Sequence, residues 1–88
     1  MKIAIVGCGF VADFYMRNLR GHPDFVLTGV YDRDRARLDV FCRHYSAKPY
    51  ATLEALLADP HVGMVLNLSN PRRHFEITAA ALRAGKPV

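Results

Sequence analysis

Residues 2–12 read Lys2-Ile3-Ala4-Ile5-Val6-Gly7-Cys8-Gly9-Phe10-Val11-Ala12. One charged residue leads into an unbroken apolar run, two closely spaced glycines follow, and helix-compatible residues come next. A short run apolar on every position predicts a strand buried on both faces, as in parallel sheets. Residues 10–20 predict a helix, with Val11, Tyr15 and Leu19 a turn apart as its inward face. Gly21-His22-Pro23-Asp24 then ends it.

The same alternation continues outward from that segment. Residues 25–31 are β-rich and end at Asp32, and residues 33–45 predict a second helix packed through Leu38, Phe41, Cys42 and Tyr45. Lys48-Pro49-Tyr50 suits a short edge strand, where proline is tolerated. Thr52 can cap a short helix carrying Leu53, Leu56 and Leu57, which Asp59-Pro60 breaks. Residues 63–68 predict another buried strand. Asn70 reads as an N-cap, Pro71 as the first helical residue and Gly85 as the C-terminal cap of the last helix. Phe75, Thr78, Ala79 and Leu82 are its expected packing face. Strands joined by helices imply an α/β fold with a doubly wound parallel sheet. Residues 86–88 look like the start of a further strand, so the expectation is a sheet truncated before its last strands. Residues 1–88 would then be the first part of a longer protein, with any second, substrate-binding domain outside this chain.

Composition agrees with a folded domain. The chain has 88 residues, 51% hydrophobic and 23% charged, so disorder and low complexity are not expected. A chain of this size buries only roughly 60–65% of the surface it exposes when unfolded, which makes its stability slim. The twelve Lys+Arg against eight Asp+Glu leave a net charge of +4. The arginines are dispersed rather than gathered on a stripe, which argues against nucleic acid as a partner. Most read as solvated; the sharper reading is that Arg33/Arg35/Arg37 and Arg72-Arg73 flank an anionic ligand. Cys8 and Cys42 suggest neither a disulfide framework nor a metal site, and fit a reducing, cytoplasmic setting. No run is long enough to span a membrane, and the apolar stretch before Cys8 is too short for an export signal.

The chemistry sits in Gly7-Cys8-Gly9-Phe10-Val11-Ala12, which fits G-x-G-x-x-G/A directly between a predicted strand and a predicted helix. Gly7 permits the tight turn, Gly9 lets a pyrophosphate approach the backbone, and Ala12 lets the helix lie close to the strand. Free N–H groups of the first helical turn, among them those of Phe10 and Val11, then face the phosphates. A glycine turn that merely packs a helix on a sheet is the plainer alternative.

Asp32 is the independent support. It ends the second strand, twenty residues on from Ala12, where a carboxylate accepts hydrogen bonds from a ribose 2′-OH. Its plainer role is a helix N-cap. A 2′-phosphate beside Asp32 would meet repulsion of about 4 kcal/mol per charge pair at an effective dielectric of 20. Arg33 can offset that, or stack on adenine. The balance leans to NAD over NADP.

Leu68, Ser69, Asn70 and His74 follow the last full strand. Ligands in such sheets bind beyond the strands' carboxyl ends, so these residues are candidates for the ribose or nicotinamide side. Capping is the competing role for Asn70, packing or surface hydrogen bonding for His74. No nucleophile–base pairing is legible, so no catalytic residue is assigned within the chain.

GCGFVA at 7–12, YDRD at 31–34, LSNPRRHFE at 68–76 and AGKPV at 84–88 together resemble the N-terminal Rossmann domain of the Gfo/Idh/MocA family, the glucose–fructose oxidoreductase and inositol dehydrogenase-like NAD(P)-dependent oxidoreductases. The resemblance covers essentially the whole chain. It implies a larger α/β domain carrying the substrate pocket, a full-length homo-oligomer, and a Glu-Lys-Pro motif beyond Val88 whose lysine assists proton transfer. It also implies hydride transfer between nicotinamide and a hydroxyl-bearing carbon of a sugar, cyclitol or related small molecule. Where the family reads Thr-Pro-Asn-x-x-His, this chain has Ser69-Asn70-Pro71-Arg72-Arg73-His74; the histidine is kept and the first three residues differ. Two rival readings use the same fold: a non-catalytic dinucleotide-binding or redox-sensing module, and a domain for another adenosyl ligand, such as a methyltransferase.

Overall fold

The computed structural model describes residues 1–19, 21–22 and 24–88. The elements run β1 (Lys2–Val6), α1 (Phe10–Leu19), β2 (Val26–Tyr31), α2 (Arg35–Tyr45), α3 (Leu53–Ala58), β3 (Met64–Asn67) and α4 (Pro71–Arg83). The sheet is parallel, with β1 between β2 and β3. Arg20, the expected end of α1, and Pro23 in the turn after it lie outside the described residues.

β1 is the middle strand because its side chains can be buried on both sides. Ala4 and Val6 face a cluster built with Leu56, Val65, Ile77 and Ala81. Ile5 faces another built with Ala12, Val30, Leu38 and Phe41. Thus α1 and α2 cover one face and α3 and α4 the other, the doubly wound arrangement expected. Each fully buried Ile, Leu or Val contributes about 1.5–3 kcal/mol. The β1–β2 register slips between Ile3 and Ala4. There the Thr28 hydroxyl donates to the Ile3 carbonyl at 3.0 Å.

The sheet edges carry the two short segments flagged in the sequence. Pro49 makes a single parallel bridge to Val30, with Val30 N–H donating to Lys48 O and Tyr50 N–H to Val30 O. At the other edge Val65 N–H donates to Pro87 O at 2.8 Å, one bond rather than a strand.

Two helix faces differ from expectation. On α1 the inward residues are Ala12, Met16 and Leu19, whereas Val11 and Tyr15 are exposed. Adjacent helical residues lie 100° apart, so two apolar stripes compete; the one bearing the small Ala12 wins because it lets the helix lie closest to the sheet. On α4 the buried residues are Ile77 and Ala81, while Phe75 is 81% and Leu82 61% exposed. Two apolar stripes lie side by side on it, one of Phe75, Ala79 and Leu82 and one of Ile77 and Ala81, and packing on the sheet selects the second. Burial of Ile77 and Ala81 in the core sets the helix's rotation, and Asn67 Nδ2 donates to Thr78 Oγ1 at 2.9 Å beside them.

Caps account for the boundaries. α2 starts later than expected because Asp34 is its cap, accepting Arg37 N–H at 3.2 Å. Thr52 and Asn70 cap α3 and α4 as predicted. α4 ends with Gly85 at φ 77. Gly85 N–H donates to Leu82 O and Lys86 N–H to Ala81 O, the paired bonds of a Schellman ending.

Candidate dinucleotide-binding cleft

A cleft of about 740 Å³ opens at the carboxyl ends of the strands. Three loops meet there. The glycine turn contributes Gly7, Gly9 and Val11. The β2–α2 junction contributes Asp32, Arg33, Asp34 and Arg37. The β3–α4 junction contributes Leu68, Ser69, Asn70 and Arg73.

Gly7 and Gly9 serve different ends. Gly7 has φ 102, and a Cβ there would stand 2.6 Å from Leu68 O and 2.8 Å from Ser69 N. It is glycine because the chain turns left-handed while pressed against the next loop. A Cβ on Gly9 would meet nothing within 4 Å; it would project into open space on the cleft wall. That is the vacancy a close-approaching diphosphate needs. The first amides to bond within α1 are those of Ala12 and Asp13, both onto Gly9 O. The Phe10 and Val11 amides precede that ladder at the positive end of the helix dipole. Ala12 is fully buried against the sheet.

Asp32 is not the helix cap. Its Oδ2 accepts Cys8 N–H at 2.8 Å and its Oδ1 accepts Asp34 N–H at 2.7 Å. A carboxylate offers about four lone-pair sites, so each oxygen keeps acceptor capacity for a ribose hydroxyl. These bonds also tie the glycine turn to the start of α2.

Not every predicted residue reaches the cleft. Cys8 gives its amide to Asp32, and its thiol is buried between the sheet and the α1–α2 layer. Burial first, and the Asp32 charge second, push that thiol up to about 12. It is a packing residue with no thiolate chemistry near neutral pH. Ala12 acts only through helix placement. His74 is exposed, and its carbonyl accepts from Asn67 Nδ2 at 2.9 Å; its ring is not part of the wall. Gly7, Gly9, Val11, Asp32, Arg33, Leu68, Ser69 and Asn70 are brought together.

Arg37 and Arg73 also line the wall, though sequence reasoning placed Arg73 in solvent. The signal was the pair of arginine clusters: each sends members to the cleft. Arg73 also sits 3.8 Å from Glu76. A second, more open groove of about 600 Å³ lies between α1 and α2, walled by Asp13, Arg17, Phe41, His44 and Tyr45.

A parallel α/β/α sandwich with a bare glycine turn, a helix N-terminus and a strand-end carboxylate around one cleft defines a nucleotide-binding domain. The family model described as "Oxidoreductase family, NAD-binding Rossmann fold" matches residues 1–88, and the chain belongs to that family. It is 32% identical over 88 residues to the inositol 2-dehydrogenase/D-chiro-inositol 3-dehydrogenase of Lactiplantibacillus plantarum, covering 97% of this chain and 25% of that protein. Biliverdin reductase from Synechocystis sp. PCC 6803, solved with biliverdin and NADP+, superposes with a TM-score of 0.87 at 29% identity, over 97% of this chain and 27% of that one. An NAD-binding protein from Listeria innocua superposes equally, TM-score 0.87 at 28% identity, over 97% of this chain and 25% of that one. The chain spans about a quarter of the length of the curated relatives it matches. No helix among the described residues is long and apolar enough to cross a membrane.

Proposed function

We propose that the cleft holds a nicotinamide dinucleotide, and that the whole protein is an NAD(P)-dependent oxidoreductase. Its reaction would move a hydride between nicotinamide and a hydroxyl-bearing carbon of a sugar, cyclitol or similar small molecule. Residues 1–88 would be the cofactor-binding part, with substrate held by a second domain. The cofactor would supply the hydride donor or acceptor; this chain's residues bind and orient it. The Phe10 and Val11 amides would hold the diphosphate over Gly9, and Asp32 the adenosine ribose. Ser69 and Asn70 would border the nicotinamide side.

The observation that carries this reading is Asp32. Its two oxygens are aimed by backbone amides at the rim of a cleft whose floor is the bare Gly9. A helix-capping aspartate would not need that placement. The acid favours NAD, because a 2′-phosphate would sit against its charge. Arg33 and Arg37 on the same wall favour NADP as the second reading.

Titration with NADH and NADPH, followed by nicotinamide fluorescence, tests both levels. Saturable binding with NADH the tighter is expected. No saturable signal from folded protein would remove the cofactor reading. Tighter NADPH would overturn only the choice of NAD.

A further inference from the structure

Asn67 ends β3 and was not among the site residues read from the sequence. Its carboxamide makes four hydrogen bonds. Nδ2 donates to His74 O and to Thr78 Oγ1, both at 2.9 Å. Oδ1 accepts Ser69 N–H at 3.3 Å and the Ser69 hydroxyl at 2.5 Å. Both donors and both acceptor positions of the amide are therefore in use.

The orientation of this amide is not interchangeable. The His74 carbonyl can only accept, so it must face the amide nitrogen. The Ser69 N–H can only donate, so it must face the amide oxygen. The Ser69 hydroxyl lies against that same oxygen, which has no proton to give. Ser69 must therefore donate its single proton to Asn67. Only lone pairs remain on Ser69 Oγ for the cleft that Ser69 lines.

We infer that Asn67 is a positioning residue that turns Ser69 into a pure hydrogen-bond acceptor and so fixes the polarity of this side of the cleft. The inference rests on the proposed cofactor site and deepens it. A group that donates, such as the hydroxyl of a ribose or the amine of a carboxamide, is matched to Ser69. A phosphate oxygen, which accepts, is not. The diphosphate is thereby kept at the Gly9 end, where N–H groups point, and the nicotinamide riboside is directed to the β3–α4 end. The two ends meet at Gly7, which is pressed against Leu68 and Ser69, so the acceptor is held at a set distance from the glycine turn.

The test compares NADH with ADP, which lacks the nicotinamide riboside, in the protein and in Ser69→Ala, Asn67→Leu and Thr78→Val. Thr78→Val removes a partner of Asn67 Nδ2 but leaves Ser69 oriented, so it reports a merely structural role. Thermal unfolding of each variant is followed alongside. Wild-type protein should bind both ligands. Ser69→Ala and Asn67→Leu should weaken NADH about 3- to 10-fold, the range for one neutral hydrogen bond, and change ADP less than about twofold. The double variant should lose no more than either single one. Thr78→Val should leave the NADH-to-ADP affinity ratio unchanged. If Asn67→Leu does not fold, Asn67→Ala takes its place, and unchanged NADH affinity in the folded Asn67 variant overturns the inference. NADH unchanged in Ser69→Ala, or both ligands weakened alike, overturns the inference. Wild-type protein that binds neither ligand instead defeats the cofactor reading beneath it.

Discussion

The two loops that touch at Gly7 are built by opposite means. The β1–α1 turn works through missing side chains: Gly7 yields to the Leu68 carbonyl, and Gly9 leaves a bare wall. The β3–α4 turn works through side-chain hydrogen bonds, with Asn67 saturated and Asn70 capping α4. A site made by omission tolerates no added atom. A site made by hydrogen bonds tolerates shape changes but not a lost partner.

Gly7→Ala should give the largest effect. A methyl group 2.6 Å from a backbone oxygen, at φ 102, cannot be relieved by a rotamer change. Left-handed strain and overpacking together cost about 3 kcal/mol or more. For a domain of this size that is a fall of roughly 10–20 °C in unfolding midpoint, measurable by calorimetry. A midpoint within a few degrees of wild type would mean the two loops are not held in contact.

Gly9→Ala sharpens the contrast. Its new methyl meets no protein atom within 4 Å, so stability should change by no more than about 1 kcal/mol, the scale of a cap substitution. Yet NADH affinity should fall more than about tenfold, because the methyl occupies the diphosphate's approach. Equal stability losses at Gly7 and Gly9 would erase the division between them.

The smallest effect on stability concerns the residue between those glycines. The fold raises the Cys8 thiol from 9.0 to about 12 through burial and the nearby Asp32 charge. A raised value means the fold favours the neutral thiol. That stabilisation is complete below the unfolded value and is lost as pH rises through the folded one. At about pH 8, alkylation of Cys8 should run on the order of a hundredfold slower than in denaturant. Mass spectrometry after iodoacetamide treatment reads this directly, and rapid labelling of folded protein would contradict the burial.

What was legible in the sequence follows the same division. The glycine turn could be read because glycine spacing, a preceding apolar strand and an acid twenty residues on constrain one another. The parallel sheet could be read because β1 is apolar at every position from Ile3 to Val6. The caps at Thr52 and Asn70 and the ending at Gly85 could be read because their side chains, or lack of one, act on backbone within a few residues. The inward faces of α1 and α4 could not, since each helix carries two apolar stripes and only packing selects between them. Asn67 was missed for a related reason: its role depends on which partners the strand end meets and leaves no local pattern. For Arg73 the arginine cluster was the signal, and only the rotation of α4 decides which member reaches the cleft. Asp34 displaced Asp32 as the cap of α2 because the two acids stand only two residues apart, and hydrogen bonds from Cys8 and Asp34 itself hold Asp32 elsewhere.

The central claim is that a dinucleotide lies across the strand ends, over the glycine turn and against Asp32. Amide-resolved NMR during titration with NADH addresses it residue by residue. The account predicts the largest shifts at the amides of Gly9, Phe10, Val11 and Arg33, smaller ones at Ser69 and Asn70, and none at Phe41 or His44 in the α1–α2 groove. Shifts centred on that groove, or a glycine turn that does not respond at saturation, would contradict it.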